Sequence, residues 1–248
     1  MQSVAVAFSG GVDSTLLAYR STQVPGLDCR AVIVDSPFLP RSEFESALRI
    51  ALEIGIETIV ETVQEIPEEV LANTKDRCYL CKKTIIGAIK RVIPEGTVIV
   101  EGSNLDDLSD YRPGMRAVKE LGVRSPLLEA GFTKEDIRRN ARLLGLSNWD
   151  KPAYACLATR IPGGQKIKPE ILSRVEAAEE FLRERGIRAC RVRTHGSTAR
   201  IEVAPEERAA FFDTGFMDLA ASTLKNLGFT YVTLDLEGYR RGNMNEPS

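Results

Sequence analysis

Short, nearly unbroken apolar runs mark residues 4–8 (VAVAF), 29–35 (CRAVIVD), 57–62 (ETIVET) and 97–102 (TVIVEG). They are rich in β-branched residues and lack the polar alternation of a half-solvated strand, so they predict strands buried on both faces. Between them lie segments with helical spacing, at residues 13–20, 41–54, 79–92, 113–121 and 133–144. In the third, Leu80, Ile85, Ile86, Ile89 and Val92 fall close to one face, which packs against a sheet. Strands alternating with helices predict a doubly wound α/β domain with a parallel sheet, whose ligands belong at the carboxyl ends of the strands.

After Asp150 the pattern changes. A long amphipathic segment at 169–185 precedes two strand-like runs, 189–194 and 198–203, joined by the tight His195-Gly196-Ser197 connection. A single helix over 205–227 and a last strand over 231–236 complete the chain. Helix, hairpin, helix and strand predict a smaller α+β domain built on an antiparallel sheet. The expected organisation is therefore an α/β domain over residues 1–148, a Pro- and Gly-rich linker over 149–168, and the α+β domain over 169–248.

Composition adds only limits. The 248 residues are 43% hydrophobic and 27% charged, as in an ordinary globular protein. A net charge of −2 argues against a whole-chain grip on nucleic acid or membrane, although Arg183, Arg185, Arg188, Arg191, Arg193 and Arg200 could form a local basic strip. No run is long and apolar enough to span a bilayer, and the first residues lead into a strand without a signal-like segment, so a cytoplasmic location is expected. Five cysteines, an odd number, do not suggest a disulfide framework. Cys29 and Cys190 open apolar runs and read as strand residues. His195, the only histidine, reads as a turn residue.

The FSGGVDS segment, from Phe8 to Ser14, follows the first strand and opens the first helix. Gly10 and Gly11 allow close backbone approach to an anion, the amides from Val12 onward point out of the helix end, and Ser9 and Ser14 add hydroxyls. A carboxylate beside polyphosphate requires a cation between them, so Asp13 implies Mg2+. The segment lacks the Gly-Lys-Ser/Thr of a Walker A loop and the spacing of a dinucleotide fingerprint. It resembles the SGGxDS signature of the PP-loop ATP pyrophosphatases, which cleave ATP between the α and β phosphates. That resemblance implies nucleotide contacts at Asp35 and Ser36 in VDSP and at Gly102 and Ser103 in EGSNLDD, with Asp107 near the metal or a basic group. Arg112 and Arg116 in DYRPGMRA are candidates for pyrophosphate or an anionic substrate, or are ordinary solvated helix residues.

Cys78 and Cys81 form a CxxC at the start of the third helix, beside Arg77, Lys82 and Lys83, a setting that favours thiolate. With Cys156 they make three available thiolates. A structural zinc would want four ligands, whereas three cysteines suit a 4Fe-4S cluster with one open iron; a zinc or redox pair and unliganded cysteines remain the other readings.

Taken together, SGGVDS, EGSNLDD, SPLLEAGFTKEDIR, CLATRIP, THGSTARIEV and GYRRGNMNE resemble the LarE-type ATP-dependent sulfur transferases over essentially the whole chain. These act in nickel-pincer nucleotide biosynthesis. The resemblance implies adenylation of a carboxylate of pyridinium-3,5-dicarboxylate mononucleotide, release of pyrophosphate, and replacement of AMP by sulfur. It implies substrate contacts at Arg160, Arg193, Arg200, Glu202 and Arg240, a sulfide donor as partner, and a homo-oligomer, expected to be a hexamer. Some members sacrifice the cysteine equivalent to Cys156, whereas others hold a cluster on equivalents of Cys78, Cys81 and Cys156. All three are present here, which implies the cluster-bearing form. Gly163 and Gly164 stand where the family often carries an aromatic residue. Other readings are a PP-loop tRNA thiolase, an amide-forming ligase of the NAD- or GMP-synthetase kind, and a non-enzymatic ATP-binding module.

Overall fold

The computed structural model describes residues 3–109, 113–152 and 154–239. Arg112 and Arg240 lie outside them. The chain divides into two compact units, one of residues 1–70 and 76–155, the other of residues 71–75 and 156–248.

The first unit is α/β. Its strands β1 (Ser3–Ala7), β2 (Asp28–Asp35), β3 (Glu57–Thr62) and β4 (Val98–Val100) form one parallel sheet in the order β3-β2-β1-β4. β1 is central, and its neighbours lie on opposite sides, so the loop leaving it opens at the point where the strand order reverses. Helices cover both faces, as the apolar runs require. On one face Val6, Ala31 and Ile33 pack with Leu16 and Leu17 of α1 (Val12–Thr22), Ala47 and Ile50 of α2 (Arg41–Glu53), and Ile137 of the later α7 (Lys134–Leu143). On the other, Ala5, Val32 and Ile99 meet Ile86 and Ile89 of α4 (Arg77–Val92) and Val118 of α5 (Gly114–Glu120). The short helices α3 (Glu68–Leu71) and α6 (Pro126–Glu129) complete the unit.

β4 is shorter than its apolar run. Its outer edge is bridged by Arg124, whose amide donates to the Ile99 carbonyl and whose carbonyl accepts from the Glu101 amide. α7 starts with a capping box: the Thr133 hydroxyl accepts from the Asp136 amide at 3.1 Å and the Asp136 carboxylate accepts from the Thr133 amide at 3.2 Å.

The second unit has α8 (Pro169–Glu184), β5 (Cys190–His195), β6 (Thr198–Val203), α9 (Thr214–Asn226) and β7 (Tyr231–Leu234), with sheet order β5-β6-β7. β5 and β6 form the expected hairpin, and His195 ends β5 beside a two-residue turn in which Gly196 takes φ +60°. The sheet is not wholly antiparallel, however. β7 pairs parallel to β6, because α9 carries the chain back across the sheet before β7 begins. The helix expected over 205–227 is also two elements, a 3-10 helix at Pro205–Phe212 and α9, separated by Asp213, whose carboxylate caps α9 by accepting from the Phe216 amide at 2.7 Å. Leu172, Val175, Ala178 and Leu182 of α8 are buried with Val192, Ile201 and Val203 of the strands. Among the described residues no helix is long and apolar enough to cross a membrane.

Candidate functional site

The loop after β1 is tightly built. Ser14 Oγ donates to the Gly11 carbonyl at 3.1 Å and accepts from the Ser9 amide at 3.3 Å, and Ser9 Oγ lies 3.2 Å from Ser14 Oγ. Gly10 stands at φ +67°, and a Cβ there would meet Ala47 Cα at 2.7 Å, so both its conformation and α2 demand glycine. Gly11 is the N-cap of α1 and no side chain caps that end, which leaves the first amides of an 11-residue helix facing the loop. β4 closes on the same place. A Cβ on Gly102 would lie 2.9 Å from the Ser14 amide nitrogen and 3.1 Å from Asp13 Cβ.

Asp13 is where the charge sits. Lys134, the first residue of α7, pairs its ammonium with Asp13 Oδ2, while Asp13 Oδ1 is buried without a hydrogen-bond partner among the described residues. A buried carboxylate oxygen in that state fits a bound cation, so the donor chemistry at the loop suits Mg2+. The segment after α7 supports the loop from behind. Asn148 Nδ2 donates to the Gly10 carbonyl at 3.1 Å and to Thr15 Oγ1 at 2.9 Å, and Lys151 Nζ lies 3.4 Å from the same carbonyl while pairing with Glu43 at 2.9 Å. Lys134, Asn148 and Lys151 were not singled out from the sequence. Their partners are more than a hundred residues away, and only the unusual Asn and Lys after an amphipathic helix hint at them.

The other strand ends are ordered around the sheet's carboxyl edge. Asp35, at the end of β2, binds Arg41 of α2, with Arg41 Nη1 donating to Asp35 Oδ2 at 3.1 Å. Glu101 accepts from Ser125 Oγ at 2.6 Å and from the Ser103 amide at 3.1 Å, and Lys82 lies 3.5 Å away. Burial opposes the charge on Glu101, but Lys82 and these donors outweigh it and hold the carboxyl below its usual range. Asp107 accepts from the Asn104 amide at 3.1 Å, closing its own turn.

Cys78 and Cys81 sit in the first turns of α4, three residues apart and therefore on neighbouring positions of one helix surface. Cys78 is exposed with Arg77 Nη2 3.8 Å from its sulfur, and Cys81 is half-buried. Arg116 of α5 stacks on Tyr79, 3.6 Å from the ring centre, and pairs with Asp76, so cations gather around the CxxC turn. Cys81 also lines a small open cleft with Val34 and Ser36 from the end of β2 and with Val63, Val70 and Ile85. The VDSP turn and one CxxC thiol thus share a wall. Among the described residues no three His, Cys, Asp or Glu side chains gather into a group that could hold a metal ion.

In the second unit Cys156 is half-buried and precedes a 3-10 turn, Leu157–Arg160. Arg160 is fully buried, with Nε and Nη2 on the equally buried Glu179 at 2.8 and 3.0 Å and Nη1 donating to the Cys156 carbonyl at 3.0 Å. Arg193 is buried on Glu202, 3.1 Å from both oxygens, and donates from Nη1 to the Thr159 carbonyl at 2.7 Å. Arg200 is more exposed and lies 2.8 Å from Glu202 and 3.6 Å from Asp235. Burial opposes charge on Glu179, yet Arg160, Arg191 and the Val192 amide keep its carboxyl below the usual range. Burial, with Glu179 nearby, pushes the Cys190 thiol up to about 12, so it stays protonated. His195 is pulled below its ordinary value by burial and by Arg200, which favours the neutral imidazole. Glu179 was not foreseen, although a signal existed: it falls on the apolar stripe of α8, between Val175 and Leu182. The basic strip is largely neutralised, because Arg183, Arg185, Arg193 and Arg200 pair with carboxylates and Arg191 is buried.

No protein-family model matches the chain. Individual relatives do. Over 97% of its length it is 42% identical to an uncharacterized protein of Synechocystis sp., covering 91% of that protein. It is 29% identical over 96% of its length to an uncharacterized protein of Methanocaldococcus jannaschii, again covering 91%. Over 99% of its length it is 39% identical to the pyridinium-3,5-bisthiocarboxylic acid mononucleotide synthase of Lactiplantibacillus plantarum, covering 90% of that enzyme. An identity of that size across both units, on a chain with this loop and these cysteines, places the protein in the LarE family, to which the Lactiplantibacillus synthase belongs.

Proposed function

We propose that the protein is an ATP-dependent sulfur transferase that converts a carboxylate of pyridinium-3,5-dicarboxylate mononucleotide into a thiocarboxylate. The near full-length identity to a bisthiocarboxylic acid mononucleotide synthase carries this reading. The first unit is a PP-loop domain in which Gly10, Gly11 and the amides of Val12, Asp13 and Ser14 bind the phosphates, with Ser9, Gly102 and Ser103 beside them and Asp35 and Ser36 near the base. Asp13 would hold Mg2+, which would supply positive charge to the phosphates, and the Lys134 ammonium next to it supplies a second cation.

A carboxylate oxygen is a poor leaving group, so the chemistry runs in two displacements. The substrate carboxylate attacks the α-phosphorus, the bond to the β-phosphate oxygen breaks, and pyrophosphate departs from an acyl adenylate. Backbone amides and cations at the loop stabilise the developing charge. Sulfur then attacks the acyl carbon and AMP leaves with the former carboxylate oxygen. Cys156 belongs to this second step, and the part-exposed Arg200, 2.8 Å from the buried Glu202, is a candidate for the anionic substrate.

Cys78, Cys81 and Cys156 are the ligands that the family resemblance implies for a 4Fe-4S cluster, although they do not form a metal-holding group among the described residues. Exposed or half-buried thiols are accessible for ligation, and the cluster would supply an open iron for an additional sulfide. The residues' own tasks are to ligate, to orient and to keep the adenylate from water.

Pyrophosphate release from ATP is the direct test of the first step. It is expected to require Mg2+ and to rise at least about tenfold when the pyridinium dicarboxylate nucleotide is added. Release that responds to tRNA and not to that nucleotide would overturn the assignment in favour of a tRNA thiolase.

A further inference from the structure

Three buried polar side chains converge on the short loop that follows Cys156, and each spends its donors on backbone carbonyls there. Arg160 Nη1 donates to the Cys156 carbonyl, which also accepts from the Thr159 amide at 3.0 Å and Thr159 Oγ1 at 2.8 Å. Arg193 Nη1 takes the Thr159 carbonyl at 2.7 Å. Asn73 Nδ2 donates to the carbonyls of Pro162 at 2.8 Å and Gln165 at 3.0 Å, and lies 3.4 Å from that of Ile161. The Asn73 carbonyl in return accepts from the Gly164 amide at 2.8 Å. Arg160, Arg193 and Asn73 are 0%, 5% and 1% exposed, so none of these bonds is exchanged readily with water.

The cost of this arrangement is visible. Two arginines are buried with Glu179 and Glu202, although apolar residues of the same volume would fill the space as well or better. Asn73 takes φ +55°, the one positive-φ position outside glycine among the described residues. Buried ion pairs beside a ten-residue loop, and a positive φ at the Asn73 that holds it, stabilise a particular conformation of that loop more than they stabilise the unit. Both arginines turn inward, so their guanidinium groups face carbonyls and carboxylates of their own chain.

We infer that Arg160 with Glu179, Arg193 with Glu202, and Asn73 form a rigid mount that fixes the backbone carrying Cys156, acting as positioning residues for its sulfur. The inference deepens the sulfur-transfer reading and rests on it only for its purpose, since the mount itself is a property of the folded chain. A sulfur that must meet one acyl carbon gains from a fixed origin, because small displacements of a reacting group cost large rate factors.

The test is the rate at which a small neutral alkylating agent, iodoacetamide, modifies Cys156, followed by peptide mass in the full-length protein. Removing Arg160 alone would leave the buried Glu179 without its two-point partner and with the longer contact to Arg183 at 3.5 Å, so the first variant is the double Arg160→Met, Glu179→Gln, in which the glutamine can still accept from the Val192 amide. The second is Asn73→Gly, which removes the amide and relieves the positive φ. Cys190, 1% exposed in the same unit, reports any general unfolding. In both variants Cys156 is expected to react at least about tenfold faster, the factor set by 1.4 kcal/mol of easier local opening, with Cys190 still protected. Cys156 reactivity within about twofold of the wild type in Asn73→Gly would overturn the mount, whatever the double variant does. A faster Cys156 in a protein that makes no thiocarboxylate would leave the mount standing and remove the sulfur-transfer reading instead.

Discussion

Asp13→Asn is expected to cut pyrophosphate release by about 10²–10³-fold in a chain that remains folded. The residue sits in the first turn of α1, its Oδ2 is held by Lys134, and its Oδ1 is buried with no hydrogen-bond partner among the described residues. Asparagine keeps the size and removes the charge, so the loop retains its shape while the cation site is lost. The stability cost is small: an acidic residue at a helix start contributes about 0.3–1 kcal/mol, and a part-exposed ion pair no more than about 1 kcal/mol. The sign on binding separates this from simple damage. Without Mg2+, the wild-type carboxylate repels triphosphate, so the variant should bind metal-free ATP as well as or better than the wild type while losing the gain that Mg2+ brings. Calorimetry with and without Mg2+, beside a pyrophosphate assay, checks both halves. Weakened metal-free binding in the variant would mean that Asp13 supports the fold of the loop and does not hold a cation.

The cysteines should separate adenylation from sulfur transfer. Cys156→Ala is expected to lower thiocarboxylate formation by about 10³-fold or more, with substrate-dependent pyrophosphate release changed by no more than about threefold. The loop proposed to bind ATP lies in the first unit and Cys156 in the second, and among the described residues no bond of the loop or of the Asp13–Lys134 pair involves that thiol. Cys78→Ser then distinguishes the sulfur sources. On the cluster reading it abolishes thiolation as completely as Cys156→Ala and removes bound iron. If Cys156 gives up its own sulfur, Cys78→Ser leaves one thiolation per chain, and the intact mass falls by the elements of hydrogen sulfide. Iron and sulfide analysis under anaerobic conditions, with intact mass before and after reaction, reads the difference.

Much of this was legible in the chain itself, for identifiable reasons. Continuous apolar runs separated by helical spacing predicted the parallel sheet and its covered faces, because burial on both sides leaves no polar alternation. SGGVDS and EGSNLDD were legible because a glycine in each answers to local geometry, a positive φ at Gly10 and the absence of a Cβ at Gly102. What the pattern concealed was long-range pairing. Arg160 and Arg193 stand in motif-like segments and read as anion-binding residues, yet Glu179 and Glu202 draw both inward, and only Glu179 on the apolar stripe of α8 hinted at such a pair. Asn73 carries no signal at all: its three carbonyl partners lie some ninety residues away. The parallel β7 is hidden for a more local reason, since a helix between two strands fits a connector in an antiparallel set as well as the crossover it forms here, and the break at Asp213 comes from a single capping carboxylate within an otherwise helical pattern.

The central claim is that sulfur replaces oxygen on a carboxylate at the expense of ATP. It is tested most directly by incubating the anaerobically purified protein with ATP, Mg2+, sulfide and pyridinium-3,5-dicarboxylate mononucleotide, and weighing the nucleotide product by mass spectrometry. The account predicts a product in which sulfur has replaced a carboxylate oxygen, formed in several-fold excess over protein, with one AMP and one pyrophosphate released per sulfur added and Cys156 unchanged in mass. ATP cleavage with the nucleotide unaltered, or no dependence of AMP formation on that nucleotide, would contradict it.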